Sequence, residues 1–476
     1  MTAPTLAGPG PDTAPGAPGA PLGATQRSIW AAYRFAPDSA VYNITMPLRV
    51  RGPLDVPALA RAVTETGRRQ AQLRSYFTER DGVPVRVERD APYVALDVRQ
   101  APGVPEDELR RLAREAGEQP FDLSDAVFRV VLLQRAEDDF ALVMALHHIV
   151  GDFTSRTLLA RDLLDAYRGI AAGGEPAWRP LKGSYADAVA EEEEYLASGP
   201  GERAAAYWRE TTEGVPAAEL PLDRPRPARP GYRGATVAVE LPAELTDRLA
   251  EAAKAAGTTP FAVHLAAFQA LVARWTGQED FLIGVPASSR LGRGARDLVG
   301  CYLNTLAVRA RLGPGTTFEE AAQEAGRQVQ GAMFHARHPC TLIARPPGAP
   351  LFRIGAFLVQ MHRMDPPVPT VPRGAAEGPA LAYGDLSLAL IDVPQQEGQL
   401  DLMLRLEQEP QGTTAVFSYD TDLFEPETAD RFARTYERFL RTAVDRPAAG
   451  VTDVPLTDED ELAALLALGD WEGGAW

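Results

Sequence analysis

The spacing of hydrophobic residues predicts alternating strands and helices in the first half of the chain. Residues 140–146 form a short uninterrupted apolar run, which is typical of a strand buried on both faces. Four leucines between 158 and 164 recur at helical spacing, and Gly169 is expected to end that helix. The same patterns predict helices over 26–35 and 56–70, and strands over 43–50, 73–77 and 83–87.

The second half repeats this coarse order of elements. A helix is predicted over 245–256, and a second one opens at a threonine cap followed by Pro260. The segment "DFLIGVP" at 280–286 then predicts a strand. Residues 170–240 are richer in Gly, Pro and charge, so they are interpreted as connectors. We expect two α/β lobes with mixed sheets that meet near residue 180.

The length of 476 residues agrees with two lobes, since it exceeds what one ordinary core accommodates. Residues 1–23 are mostly Ala, Pro and Gly without a period, and they are predicted to be a disordered arm. The predicted division is an arm at 1–23, an N-terminal lobe at 24–180, a C-terminal lobe at 181–468 and a linker remnant at 469–476.

Charge and composition argue against several classes of protein. The formal net charge of −17 disfavours nucleic acid as a partner, because phosphate binding depends on basic patches. Cys301 and Cys340 are too few for a disulfide framework or a cysteine-built zinc site. No basic residue precedes Arg27, and no apolar run reaches about 18 residues, so neither a signal peptide nor a spanning helix is predicted. We expect a soluble, cytoplasmic protein without a membrane partner.

The segment "LHHIVGDFTS" at 146–155 carries the strongest candidate chemistry. Side chains alternate along a strand, so His147 and His148 point to opposite faces and only one imidazole can face a cleft. An imidazole with a pKa near neutrality can accept a proton during acyl transfer. Asp152 has three possible roles: to orient an imidazole, to cap the next helix or to pair with a buried arginine.

The histidine pair also has a structural and a metal-binding interpretation. An isolated pair is more often structural than catalytic, and no third ligand stands at metal-binding spacing, so no metal is expected. The chain has no G-x-S-x-G elbow, no G-x-G-x-x-G after a strand and no Walker loop. Serine hydrolase, dinucleotide enzyme and nucleotide triphosphatase interpretations therefore lose support.

The segment "MALHHIVGDFTS" resembles the HHxxxDG motif of the condensation domains of nonribosomal peptide synthetases, within the chloramphenicol acetyltransferase-like superfamily. Further segments resemble the family in its own order, among them "ATQRSIW" at 24–30, "RRQAQLRSYF" at 68–77, "TGQEDFLIGVPASSR" at 276–290, "LVGCYLNTLAVRARL" at 298–312 and "YDTDLFEPET" at 419–428. The resemblance covers roughly residues 24–468, and the ordered series is more specific than any single motif.

The resemblance implies a V-shaped pair of lobes with an active-site tunnel at their junction. Donor and acceptor carrier proteins would insert phosphopantetheine arms into it, and an amide would form between an acyl or peptidyl thioester and an amine. No intrinsic cofactor is expected, and the protein would act as a monomer. The implied roles are a catalytic His148, structural His147 and Asp152 with Arg290 as the paired arginine, an oxyanion or space-making Gly151, and substrate contacts from Phe153, Ser155, Tyr302 and Asn304.

Three departures from the family pattern stand out. Gln70 and Ala71 replace a His-Glu pair, and "HARHPC" at 335–340 keeps only the first His and the Pro of its motif. Phe153 replaces the motif glycine, a variant that resembles the subgroup accepting polyketide or fatty acyl donors. The tail "PLTDEDELAALLALGDW" resembles the linker to an adenylation domain, so the chain is expected to be the first domain of a larger synthetase or a free-standing enzyme.

Two other functions stay open at this point. One is an acyltransferase of the same superfamily that uses a soluble CoA thioester and forms an amide or an ester. The other is a catalytically silent recruitment module, which the altered "HARHPC" segment and the missing glycine favour and the intact histidine pair disfavours.

Overall fold

The computed structural model describes residues 19–90, 94–290, 294–346, 348–360, 371, 375–393, 398–409 and 412–457. Its helices are α1 (Ala24–Phe35), α2 (Val56–Arg69), α3 (Glu106–Glu118), α4 (Phe153–Ala171), α5 (Tyr185–Leu196), α6 (Gly199–Thr212), α7 (Ala243–Ala255), α8 (Pro260–Thr276), α9 (Phe318–Phe334) and α10 (Pro426–Asp445). Its strands are β1 (Ala20–Pro21), β2 (Asn43–Arg51), β3 (Ser75–Arg80), β4 (Val83–Glu88), β5 (Leu96–Gln100), β6 (Phe128–Gln134), β7 (Asp139–His147), β8 (Gly234–Pro242), β9 (Asp280–Ser288), β10 (Leu303–Arg311), β11 (Ile354–Val359), β12 (Leu381–Tyr383), β13 (Leu386–Leu390), β14 (Leu402–Glu409) and β15 (Gly412–Asp420). The predicted mixed α/β class is confirmed.

Strand β7 lies inside the first large sheet, whose order is β12-β13-β2-β7-β6-β5. Both neighbours, β2 and β6, run antiparallel to it, whereas β5 runs parallel to β6. Phe140, Leu142 and Met144 face a core shared with α2 and α4, while Ala141 and Val143 face a separate core under α3. Because both faces are covered, every residue of the run 140–146 can be apolar.

The second large sheet has the order β10-β9-β11-β14-β15-β8. It is also mixed, since β11 runs parallel to β9 and to β14. Helix α8 packs among α9, α10 and this sheet, and its apolar side chains are buried along most of its length. The predicted start is present: the Thr259 side chain accepts a hydrogen bond from Ala262 N, with Pro260 in the first turn.

The C-terminal half also contributes strands to the first sheet. Strand β13 pairs antiparallel with β2, with Leu388 opposite Val50, and β12 extends that edge. The chain between 381 and 390 therefore crosses the predicted division into lobes at 24–180 and 181–468. The V-shape and the tunnel implied by the resemblance stay predictions.

The end of the predicted disordered arm needs correction. Ala20 and Pro21 pair with Arg86 and Val85 of β4, and Leu22 is 1% exposed. Burial of this leucine among Ile29, Trp30 and Phe77 stabilises the position of the segment before residue 24. Residues 1–18, and the linker remnant predicted at 469–476, lie outside the described residues.

The sequence predicted that helix α4 would end at Gly169, but the helix continues to Ala171. A side chain at Gly169 would collide with the backbone carbonyl of Glu175, which returns over the end of the helix. Close approach of the following chain, rather than helix termination, therefore explains this glycine.

No single helix within the described ranges is long and apolar enough to cross a membrane. Helices α7 and α8 reach the required length and composition only as a pair, and they are bent by 96° relative to one another.

Candidate active site

The five residues between β7 and α4, 148–152, form a tight turn that we call the histidine turn. Its first hydrogen bond runs from Val150 N to the carbonyl of His147, at 3.0 Å. A side chain at Gly151 would collide with Leu146 Cδ1 in its present position, so a larger residue there would require this buried leucine to move. The N–H of Gly151 points to the carbonyl of His148 at 3.4 Å, and its predicted use as an oxyanion donor stays a prediction.

His147 is the buried member of the histidine pair, at 2% exposure. Its Nδ1 accepts a hydrogen bond from Ile149 N, and its ring lies edge-on to Tyr33 and Phe121. Burial, assisted by the neighbouring His148, lowers the pKa of His147 to about 3. The imidazole is therefore neutral at physiological pH and belongs to the packing beneath the turn.

His148 is the partly exposed member of the pair. Its backbone N–H donates to the carbonyl of Tyr42 at 2.7 Å, which fixes the start of the turn. Its Nδ1 is covered and has no hydrogen-bond partner among the described residues. Burial lowers the pKa of His148 below 6.5, although the Asp152 carboxylate opposes this shift. At neutral pH the ring is thus uncharged, so one of its nitrogens can accept a hydrogen bond or a proton.

Asp152 closes the histidine turn and caps helix α4. Its Oδ1 accepts a hydrogen bond from Ser155 N at 2.7 Å, the geometry of an N-cap. The structure also brings it against Arg290, with 3.1 Å from Nε to Oδ2 and 2.8 Å from Nη2 to Oδ1. The ion pair is bidentate, and both side chains are about nine-tenths buried. It joins the end of β7 to the β9–β10 connection.

Ser155 was predicted to contact substrate, and that contact stays a prediction. It is completely buried, and its hydroxyl lies within hydrogen-bond distance of Asp152, Arg290 and the backbone of Gly300. The hydroxyl therefore belongs to the ion-pair network, where it links α4 to the β9–β10 connection.

Phe153 opens helix α4 directly behind the acid, and its ring does not enter the core. It is 38% exposed, and the guanidinium of Arg156 lies 4.2 Å from the ring centroid. A phenylalanine in the first turn of a helix needs no unusual backbone angles. The ring thus lies partly exposed at the start of α4, stacked with Arg156.

Within the described ranges, no group of three or more His, Cys, Asp or Glu side chains could hold a metal ion. The two cysteines are both free thiols.

Comparison with known proteins decides the family. The family model described as the condensation domain matches residues 18–466. The chain belongs to the condensation domain family. One of the linear gramicidin synthase proteins of Brevibacillus parabrevis is 31% identical over 461 residues, which are 94% of this chain and 6% of that protein. Phosphinothricin tripeptide synthetase PhsB of Streptomyces viridochromogenes is 33% identical over 475 residues, 96% of this chain and 38% of that protein.

Among solved structures, the X-domain in its complex with OxyB from teicoplanin biosynthesis is similar to this condensation domain. Its TM-score is 0.81 at 26% identity, and the match covers 97% of this chain and all of that chain. This confirms the fold. The domain spans only a small part of the curated synthetases that it matches.

Tyr302 and Asn304 of this condensation domain have structural partners. Tyr302 is 5% exposed, its N–H points to Asp152 Oδ2 at 3.3 Å, and its ring lies under the Arg290 guanidinium. Asn304 is 5% exposed and binds the backbone of the "HARHPC" segment: its Nδ2 donates to the carbonyls of Ala336 and His338, and its Oδ1 accepts from Cys340 N. Substrate contact by either side chain stays a prediction.

Three supporting residues were not predicted from the sequence. Gln26 donates from Nε2 to the carbonyl of Ile149 at 2.7 Å, and Tyr42 holds the N–H of His148. Gln70 binds Asp162 and the β9–β10 connection. Gln26 and Gln70 stand in the segments that carried the resemblance, but nothing local shows what a buried amide will contact.

Proposed function

We propose that this protein joins a carrier-bound acyl or peptidyl thioester to the amine of a carrier-bound acceptor, forming an amide in nonribosomal peptide biosynthesis. One observation carries the proposal: a neutral, partly exposed imidazole at His148 stands on a turn fixed by a buried ion pair. Membership of the condensation domain family and the synthetase relatives support it.

In the proposed reaction the acceptor amine attacks the thioester carbonyl carbon. A carbon–nitrogen bond forms, the carbon–sulfur bond breaks, and the proton lost by the amine ends on the departing thiolate. His148 accepts a hydrogen bond from the amine, orients its lone pair and relays that proton. Holding both reactants in place supplies the larger gain, which can reach about 7–11 kcal/mol, while one acid–base group typically adds about 10²–10⁴-fold.

The donor side of the site is proposed to include Phe153. Its exposed ring, held by Arg156, offers an apolar surface directly behind the histidine turn. Such a surface suits a fatty or polyketide-like acyl chain better than a peptide backbone with its polar groups.

The partners proposed are donor and acceptor carrier proteins, whose phosphopantetheine arms would reach the site through a tunnel between two lobes set in a V. An adenylation domain is proposed as a downstream neighbour, with the domain acting as a monomer in the cytoplasm. The synthetase relatives support the carrier and adenylation partners, since those proteins are far longer than this chain.

The test is intact-protein mass spectrometry of a mixture of loaded donor and acceptor carrier proteins with this domain. We expect the acceptor carrier to gain the mass of the donor acyl group. Parallel reactions replace the donor carrier by the acyl-CoA and the acceptor amine by an alcohol. Equal or faster transfer from CoA, or an ester product, would contradict the proposal.

The X-domain provides an observation in favour of a second function, recruitment of a separate protein. That domain was solved in complex with OxyB. A domain of similar fold can therefore serve as a binding partner. Absence of transfer from every loaded carrier, together with stable binding of a separate biosynthetic protein, would favour this function.

A further inference from the structure

We propose that Gln70 is a positioning residue for His148, acting through the backbone of residues 295–300, which we call the strap. The kinetic part of this inference rests on the proposed function. Gln70 stands at the end of α2 in the N-terminal half, and the strap belongs to the β9–β10 connection of the C-terminal half.

Gln70 uses both ends of its amide, and it is 1% exposed. Its Nε2 donates to Asp162 Oδ2 at 2.9 Å and to the carbonyl of Asp297 at 3.1 Å. Its Oε1 accepts from Val299 N at 3.1 Å. One neutral side chain thus satisfies an acceptor and a donor on the strap and also contacts a buried carboxylate.

Four further backbone groups of the strap are held by Arg290 and Ser155. Arg290 Nη1 donates to the carbonyls of Ala295 and Leu298, at 2.9 and 2.7 Å. Ser155 Oγ lies 3.1 Å from Gly300 N and 3.0 Å from its carbonyl oxygen. From Asp297 to Gly300, successive residues of the strap therefore bind alternately to Gln70 and to the Arg290–Ser155 network.

This alternation connects Gln70 to the histidine turn. The strap carbonyls fix the Arg290 guanidinium, and the guanidinium fixes Asp152, the last residue of that turn. If the strap loses its contacts with Gln70, it can shift, and Arg290 then shifts with it. Misplacement of a catalytic group by about 1 Å can cost on the order of 10²-fold in rate.

Asp162 explains why an amide suits position 70. It is 1% exposed and already accepts from Arg69 Nε at 2.8 Å, and Arg161 lies 3.3 Å away. A carboxylate at position 70 would place two negative charges side by side in this buried layer. An aliphatic side chain would leave Val299 N and the Asp297 carbonyl without partners.

The experiment compares Gln70→Leu, Gln70→His and the wild-type domain in the carrier-transfer assay, with hydrogen exchange followed in parallel. For Gln70→Leu we expect kcat to fall about tenfold or more with KM changed less than about threefold, and faster exchange at both the strap and the histidine turn. Gln70→His keeps one donor and one acceptor, so it should recover part of kcat, and it guards against a leucine variant that fails to fold.

Gln278→Leu is the matched control. Gln278 also binds two backbone groups through one amide, donating to the Ala217 carbonyl at 3.2 Å and accepting from Glu219 N at 2.8 Å, but away from the strap. The Gln278→Leu variant should have a lower Tm without a lower kcat.

A folded Gln70→Leu variant with kcat within twofold of wild type overturns the proposal, as does faster exchange confined to the strap. If the wild-type domain makes no amide, the proposed function fails, and exchange at the histidine turn alone decides the positioning role.

Discussion

Strand β7 leads into helix α4 through residues 148–152, and strand β15 leads into α10 through residues 421–425, so both large sheets carry the same strand–turn–helix unit. We call the latter the packed turn. Each begins with a hydrogen bond to the carbonyl of the last strand residue, His147 in one case and Asp420 in the other. The shared geometry shows that the backbone of this unit does not by itself make a reactive site.

The side chains separate the two turns. In the packed turn, Leu423 and Phe424 are buried, at 0% and 4% exposure. Glu425 is the N-cap of helix α10, but its side chain makes no cap hydrogen bond and instead pairs with Arg224 at the surface. The histidine turn leaves His148 partly exposed and locks its helix cap to Arg290. The candidate active site therefore differs from the packed turn in two ways. It has the partly exposed imidazole of His148, and its turn is held by the buried Asp152–Arg290 ion pair.

The largest expected effect is on the exposed imidazole. His148→Ala should remain folded and lower amide formation by about 10²–10⁴-fold, because it removes the group that orients and deprotonates the amine. The measurement is the initial rate of carrier-to-carrier transfer, with Tm recorded on the same sample.

Thr421→Ala, at the matching position of the packed turn, should leave the rate within about twofold of wild type. His147→Ala should instead lose soluble yield, since it removes a buried ring and the acceptor of Ile149 N. Full transfer activity in folded His148→Ala would refute the assigned role.

The second effect concerns the two helix caps. Asp152→Ala should lower the free energy of unfolding by about 3–5 kcal/mol, because it leaves Arg290 buried without its counter-ion. Glu425→Ala removes only an exposed pair and should cost about 0–1 kcal/mol. Chemical denaturation of both variants gives the comparison directly. A normal unfolding curve for Asp152→Ala with lost activity would assign the acid to catalysis instead.

The histidine turn was largely predictable because its information is local. The apolar run 140–146 and the helical spacing after it predict strand β7 and helix α4, and alternation alone separates His147 from His148. The strand predicted at 73–77 was less accurate: residues Ala71–Arg74 form a 3-10 turn and the strand is Ser75–Arg80. A short apolar run does not distinguish a tight turn from the strand that follows it.

The contacts between distant segments were not predictable. Strand β13 joins the first sheet more than 300 residues after β2, and it carries no pattern that names its partner. Ser155 looks like an ordinary polar residue in the first turn of a helix, yet it is buried because the strap lies over it. Exposure depends on what packs against a residue, and the sequence around that residue does not record it.

The third effect concerns Phe153, the first residue of helix α4. Phe153→Gly should reduce the preference for a fatty acyl donor over an aminoacyl donor by about 1–3 kcal/mol in the ratio of kcat/KM. Phe153→Leu keeps an apolar surface and should retain most of that preference. The measurement is transfer of both donors from the same carrier. An unchanged ratio for the glycine variant would show that the ring does not touch the donor.

The last expected effect is on acid stability, and it depends on the buried His147 beneath the histidine turn. Burial holds the pKa of His147 at about 3 in the folded state, against about 6.5 when unfolded. Between these values the unfolded chain binds one more proton, so stability falls as pH falls, by up to about 1.4 kcal/mol per pH unit. His147→Phe removes the titrating group and keeps an aromatic ring against Tyr33 and Phe121. Denaturation curves between pH 4 and 7, a range set by these two pKa values, should therefore show a shallower loss of stability for His147→Phe than for wild type.

His264, buried in the other half with a pKa also lowered to about 3, provides the control, because His264→Phe should reduce the slope similarly without changing transfer activity. Equal slopes for His147→Phe and wild type would mean that His147 takes up its proton without unfolding the turn.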